Sequence, residues 1–170
     1  MLVNQAKDVA RQWVIEEASK APGFCGAFFH GSTNWLPDEA ALPTASDVDI
    51  MVVLADRVPP NKLGKLIYRD VLLDVSYLPA AEVQSPDLIL GQSHMAGSFR
   101  SASIILDPSG GLARIQAAVA AGYAKRRWVR KRCEHVVDKI LLNLQGLGAT
   151  EPFHDQVLPW LFAMPATMMA

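Results

Sequence analysis

Three aspartates and one glycine–serine pair are the residues of this 170-residue chain whose types and spacing suit a chemical task. Asp47 and Asp49 open the apolar run VDIMVVLA, and Asp74 is the single charge inside VLLDVSYL. Side chains of a strand alternate between its faces, so Asp47 and Asp49 are expected on one face and Val48 and Ile50 on the other. Aspartate is depleted in strands and is rarely buried without a partner. Each ionised acid in a dry site costs several kcal/mol, roughly, unless a cation compensates. A divalent metal meets that need, because Mg²⁺ takes oxygen ligands and keeps room for water and substrate phosphates. Two carboxylates on a metal with a third acting as base is the inventory for phosphoryl or nucleotidyl transfer. A structural alternative stands beside two of the acids. Asp47 ends a loop and suits a turn, and Asp74 suits a salt bridge to Arg69 or another base.

Gly31-Ser32 directly follows the run FCGAFFH, where the chain must turn. Glycine lets a phosphate approach backbone N–H groups, and the Ser32 hydroxyl is a further donor. A lone Gly-Ser means only a turn. Its weight comes from the order: strand, Gly-Ser, polar loop, Asp-x-Asp, strand.

The elements that must position these residues follow from periodicity. Residues 3–19 read as an amphipathic helix through Val3, Ala6, Val9, Ala10, Trp13 and Val14, stopped by Pro22-Gly23. Strands are expected at 24–30, 48–55 and 101–107, with one or two more over 66–78 that bend near Arg69-Asp70. A short helix or turn is expected at 60–65 and a helix at 80–91. One long helix is expected over 112–144, with Leu112, Ile115, Val119, Val129, Cys133, Val136, Val137, Ile140 and Leu144 on its buried stripe. The layout is α+β: a mixed sheet with flanking helices over residues 1–110, then a short helical region over 111–170.

Composition bounds the possibilities. Apolar residues make up 51% of the chain and charged residues 19%, enough for a core and unlike a disordered segment. A net charge of −1 argues against a whole-molecule electrostatic nucleic-acid binder. Cys25 and Cys133 form no C-x-x-C pair, which fits unpaired, buried thiols and a cytoplasmic setting. The four histidines have no metal-ligand spacing, and no signal peptide or membrane span is expected.

The pattern Gly31-Ser32, Asp47-Val48-Asp49-Ile50 and Asp74 resembles the nucleotidyltransferase superfamily of DNA polymerase β and the antibiotic nucleotidyltransferases. The segment IILDPSGGLARIQAAV, 104–119, is similar to the strand-to-helix join of aminoglycoside-nucleotidyltransferase-like proteins. The resemblance spans about 24–120. It implies Mg²⁺ held by Asp47, Asp49 and Asp74, phosphates held at Gly31 and Ser32, and Asp74 as the base. It implies transfer of a nucleoside monophosphate, AMP from ATP, to a hydroxyl of a small acceptor such as an aminoglycoside-type antibiotic. That would make the protein an antibiotic-resistance enzyme. Two other readings are kept: a minimal nucleotidyltransferase antitoxin of a toxin–antitoxin pair, and a catalytically degenerate nucleotide-binding module.

Relatives of this kind continue into a helical bundle, whereas LPWLFAMPATMMA follows the long helix here. The apolar tail 153–170 is therefore expected to pack on the 112–144 helix and to join a homodimer or a partner protein. Six basic residues in KRRWVRKR, 125–132, form either a solvated helical face or a phosphate-binding patch reached by Lys125 or Arg126. Trp35 and Trp128 suit core or rim packing, with base stacking as the alternative. His30 is read as a strand-end residue, and His94 and Arg100 as neighbours of the cleft without a required role.

Overall fold

The strict alternation in VDIMVVL gives one strand two different faces, and both are covered. In a computed structural model that describes residues 1–55, 58–59, 63–145 and 157, β2 (Val48–Leu54) lies mid-sheet. The other strands are β1 (Phe24–His30), β3 (Gly64–Tyr68), β4 (Val71–Pro79) and β5 (Ile104–Leu106), in the order β3-β4-β2-β1-β5. β2 and β4 run parallel, and the other pairs are antiparallel. The fold is a mixed α+β architecture around a five-stranded sheet.

On one face Val48, Ile50, Val52, Leu73 and Val75 are buried with Ala6, Ala10, Trp13 and Val14 of α1 (Val3–Glu16). On the other, Phe28 and Val53 are buried among the helices α2 (Pro86–Gly91), α3 (Ser93–Ser98), α4 (Gly111–Gly122) and α5 (Arg126–Gln145). Phe28 meets Phe99 edge-on at 4.7 Å between ring centroids, a geometry the aromatic quadrupole favours. Each apolar face thus finds its own helical layer, as burial of alternating side chains requires.

The bend expected near Arg69-Asp70 is a tight hairpin. Both residues have positive φ, 46° and 64°, the conformation that two-residue hairpin turns demand. Aspartate tolerates it less well than glycine. Asp70→Gly is therefore expected to stabilise the fold by about 0.5 kcal/mol, net of the extra chain entropy, and thermal melting will register the gain. Arg69 reaches back to Glu16 at 3.1 Å and stacks 5.1 Å over Tyr68. Its guanidinium thus ties the hairpin to α1.

Several expectations need correction. The single helix over 112–144 is two helices, α4 and α5. Leu90 of α2 packs so closely on Gly122 that a Cβ there would lie 3.0 Å from it. The chain then turns through Lys125 N–H bonding Gly122 O at 3.0 Å. The break rotates the following stripe. Trp128 and Ile140 become the buried residues of α5, while Val129, Val137 and Leu144 are 41%, 46% and 44% exposed. Cys133 is exposed and Cys25 only partly covered, so neither thiol is fully buried.

The helix expected at 80–91 is a 3-10 turn, Ala80–Val83, followed by α2. Pro86 cannot donate an N–H inside a helix but suits its first turn, and Ser85 caps it by accepting from Leu88 N–H. α3 was not anticipated. Gly64 and Lys65 belong to β3, not to a turn over 60–65, and positions 60–62 lie outside the described residues. The tail 153–170 lies outside them too, apart from Val157, which is exposed. No helix among the described residues is long and apolar enough to cross a membrane.

Candidate metal centre

Strand register draws the acids together. Asp49 on β2 pairs with Asp74 on β4, and Asp74 in turn pairs with Lys65 on β3. On the other side His30 at the end of β1 pairs with Asp49. One row across four strands thus reads Lys65, Asp74, Asp49, His30. Asp47 precedes β2 by one residue, two positions from Asp49 and hence on the same face. That face is the one covered by α2–α5, because Met51 and Val53 continue it into their cluster.

The loop that delivers Asp47 is fastened to α1. Val3 N–H bonds Ala40 O and Asn4 N–H bonds Asp38 O, each at 2.9 Å, and Lys7 pairs with Asp38 at 2.9 Å. Leu42 of the same loop packs against the core beside α1.

One carboxylate oxygen from each of Asp47, Asp49 and Asp74 lies within 4.8 Å of the other two. All three side chains are partly buried. Oxygens on one octahedral Mg²⁺ lie roughly 2.9–4.2 Å apart, given metal–oxygen distances of about 2.0–2.1 Å. Small side-chain rotations therefore close the set around a hard cation, and three carboxylates are the donors such a cation prefers. The residues present fit a divalent metal.

Gly31 is shaped to this cluster. Its φ of 67° and ψ of −159° form a combination open essentially to glycine alone. A Cβ on it would lie 2.0 Å from Asp49 Oδ2. The backbone therefore approaches the carboxylate as closely as backbone can, and only glycine allows it. Ser32, exposed, begins a 3-10 turn over Ser32–Asn34, which Asn34 anchors by donating from Nδ2 to Phe29 O at 2.9 Å.

Lys65 was missed in the sequence. Its Nζ sits 2.6 Å from Asp47 Oδ2. The hydrogen bond to Asp47 and that carboxylate's charge hold the Lys65 ammonium above its ordinary pKa, with Asp74 and Asp49 adding to the effect. The signal was available, since Lys65 and Asp74 are equidistant from the Arg69-Asp70 turn. Reading it required the hairpin to be tight, and a looser bend would have shifted the register.

The helical wall beside the row is polar near the acids. His30 Nδ1 and Ser98 Oγ are 2.6 Å apart, which joins β1 to α3. Burial lowers the pKa of His30 and keeps the ring neutral near pH 7. Trp35 is half-exposed against Gly97, with the Arg100 guanidinium 5.4 Å from its ring centroid. Arg100 also lies 5.5 Å from the Tyr123 ring. Trp128, by contrast, is a core residue at 7% exposure. Within the basic segment Arg132 fastens helices, donating to Tyr123 O at 2.8 Å and to Leu90 O at 3.3 Å. Arg126 lines an outer groove with Arg127, Arg130 and Lys131.

Comparison with known proteins gave no match, either to a protein-family model or to a curated protein. The arrangement of the side chains therefore carries the functional argument. Its content is a compact set of oxygen donors, a glycine pressed against one of them, an exposed hydroxyl next in sequence, and a lysine at the rim.

Proposed function

We propose that the protein is a Mg²⁺-dependent nucleotidyltransferase that moves a nucleoside monophosphate, AMP from ATP, to a hydroxyl of a small acceptor. The observation that carries the reading is the convergence of Asp47, Asp49 and Asp74 within 4.8 Å beside a glycine that admits no side chain. Residues 1–110 form the catalytic portion, and the helices from 111 onward wall the acceptor side. Asp47, Asp49 and Asp74 are the metal ligands. Bound there, Mg²⁺ supplies positive charge against the polyphosphate. Gly31 leaves its backbone open to the phosphates, and the Ser32 hydroxyl donates to a phosphate oxygen. Asp74, in the middle of β4, takes the proton of the acceptor hydroxyl. The acceptor oxygen bonds to the α-phosphorus as the bond to the bridging oxygen breaks, and pyrophosphate leaves. The protein's share is positioning and charge stabilisation.

The acceptor class is read from the resemblance to antibiotic nucleotidyltransferases, with an aminoglycoside as the first candidate. A second reading, a nucleotidyltransferase antitoxin acting on a helical protein, is favoured by the exposed apolar residues of α5. Val137, Leu141, Leu142 and Leu144 are all at least 44% exposed and offer a protein partner, or a second copy, a surface to cover.

Incubation with each labelled nucleoside triphosphate, Mg²⁺ and a panel of aminoglycosides tests both readings, with mass spectrometry on small molecules and on co-purifying protein. A nucleotide adduct on an aminoglycoside supports the first, and one on a protein the second. Metal and nucleotide binding without any product would identify the degenerate module.

A further inference from the structure

Lys65 forms an ion pair with one of the three acids, and its position has a consequence for how the site fills. Its ammonium lies 2.6 Å from Oδ2 of Asp47, one of the three acids of the ligand set proposed above. The lysine side chain is 58% exposed and Asp47 only 23%, so the lysine has open solvent beside it and the acid does not. β3 is an edge strand, and its hairpin register fixes the Lys65 backbone opposite Asp74. The ammonium thus reaches across Asp74 to Asp47 from a fixed base. An ammonium and a divalent ion cannot share one carboxylate lone-pair region without strong repulsion.

We propose that Lys65 is a resident competitor for the metal: it holds the acid cluster against free divalent ions and yields when the metal arrives with a polyphosphate. The inference rests on the nucleotidyltransferase reading and deepens it. A free metal ion at the acids meets the repulsion of the Lys65 ammonium unless that ammonium moves away. A metal–triphosphate complex brings anionic oxygens to which the displaced ammonium transfers. The lysine that opposes the bare ion therefore assists the complex, so Lys65 is a specificity-determining residue for the metal–nucleotide pair. Its tether, a flexible four-carbon stem on an exposed strand edge, suits that exchange.

Titration calorimetry with Mn²⁺ alone, and separately with a non-hydrolysable Mg²⁺–ATP analogue complex, tests this on the wild type, Lys65→Met, Lys65→Arg and Asp49→Asn. Lys65→Met is expected to bind free Mn²⁺ about two- to fivefold more tightly, the scale of losing one partly exposed ion pair. It is expected to bind the nucleotide complex more weakly by a similar factor. Lys65→Arg keeps the charge and should stay near wild type in both titrations. Thermal melting without metal checks that the Met variant is folded. Unchanged or weaker Mn²⁺ binding in Lys65→Met overturns the competitor role while leaving the metal site intact. Tighter binding of both ligands overturns the transfer to phosphate. Absence of Mn²⁺ binding in every variant, wild type included, sinks the metal site and the inference together.

Discussion

Asp49→Asn is expected to reduce the proposed nucleotidyl transfer by about two to three orders of magnitude, the scale of losing one preorganised electrostatic group at a reacting centre. The folded state should hardly suffer. Asp49 sits between Asp74 and His30 in the cross-strand row and beside Asp47, so three carboxylates share one small volume, with Lys65 paired to Asp47. Removing one negative charge relieves repulsion among the remaining acids. The amide keeps the size of the side chain, and the strand around it is held by Val48, Ile50 and Val52, all fully buried. The melting temperature without metal should therefore be unchanged or raised, and the rise on adding Mg²⁺ should shrink. Paired measurements of turnover and melting decide the matter. A variant that loses its fold along with its activity would mean that Asp49 supports structure rather than chemistry.

Gly31→Ala should damage both fold and function. The substitution carries two penalties. The backbone at φ 67° and ψ −159° lies where residues with a Cβ are strained, at a cost of about 1–3 kcal/mol. The new methyl would also fall 2.0 Å from Asp49 Oδ2, which must move. A total loss of about 2–4 kcal/mol follows, or roughly 4–16 °C in melting temperature for a chain of this size. Transfer should fall with it, because Asp49 is pushed from its place among the acids. Ser32→Ala is the natural control, since it removes an exposed hydroxyl without touching backbone geometry. It should leave melting within about 0.5 kcal/mol of the parent. If Gly31→Ala melts like the parent, the close approach of backbone to carboxylate is not a constraint on the fold.

The sequence by itself determined the strands and the identity of the acids, because local patterns encode both. Alternation in VDIMVVL sets which face Asp49 takes, whatever the rest of the chain does. A charge alone in VLLDVSYL is conspicuous in any arrangement. The glycine–serine turn after FCGAFFH and the start of α1 are likewise written in neighbouring residues. The hairpin was legible as a bend, but its tightness, and with it the pairing of Lys65 with Asp74, was not.

Only the tertiary structure decided what depends on contacts between distant segments. The parallel pairing of β2 with β4 brings Asp49 opposite Asp74 across intervening residues that no local rule could align. The expected long helix is split after Gly122, where Leu90 of α2 packs against α4. That break changes the phase of α5, which buries Trp128 and exposes Val129. Helical periodicity names an apolar stripe but not which part of it meets the core, since the phase is fixed by where the preceding element ends. Local sequence therefore chose the reactive groups, and long-range packing chose their neighbours.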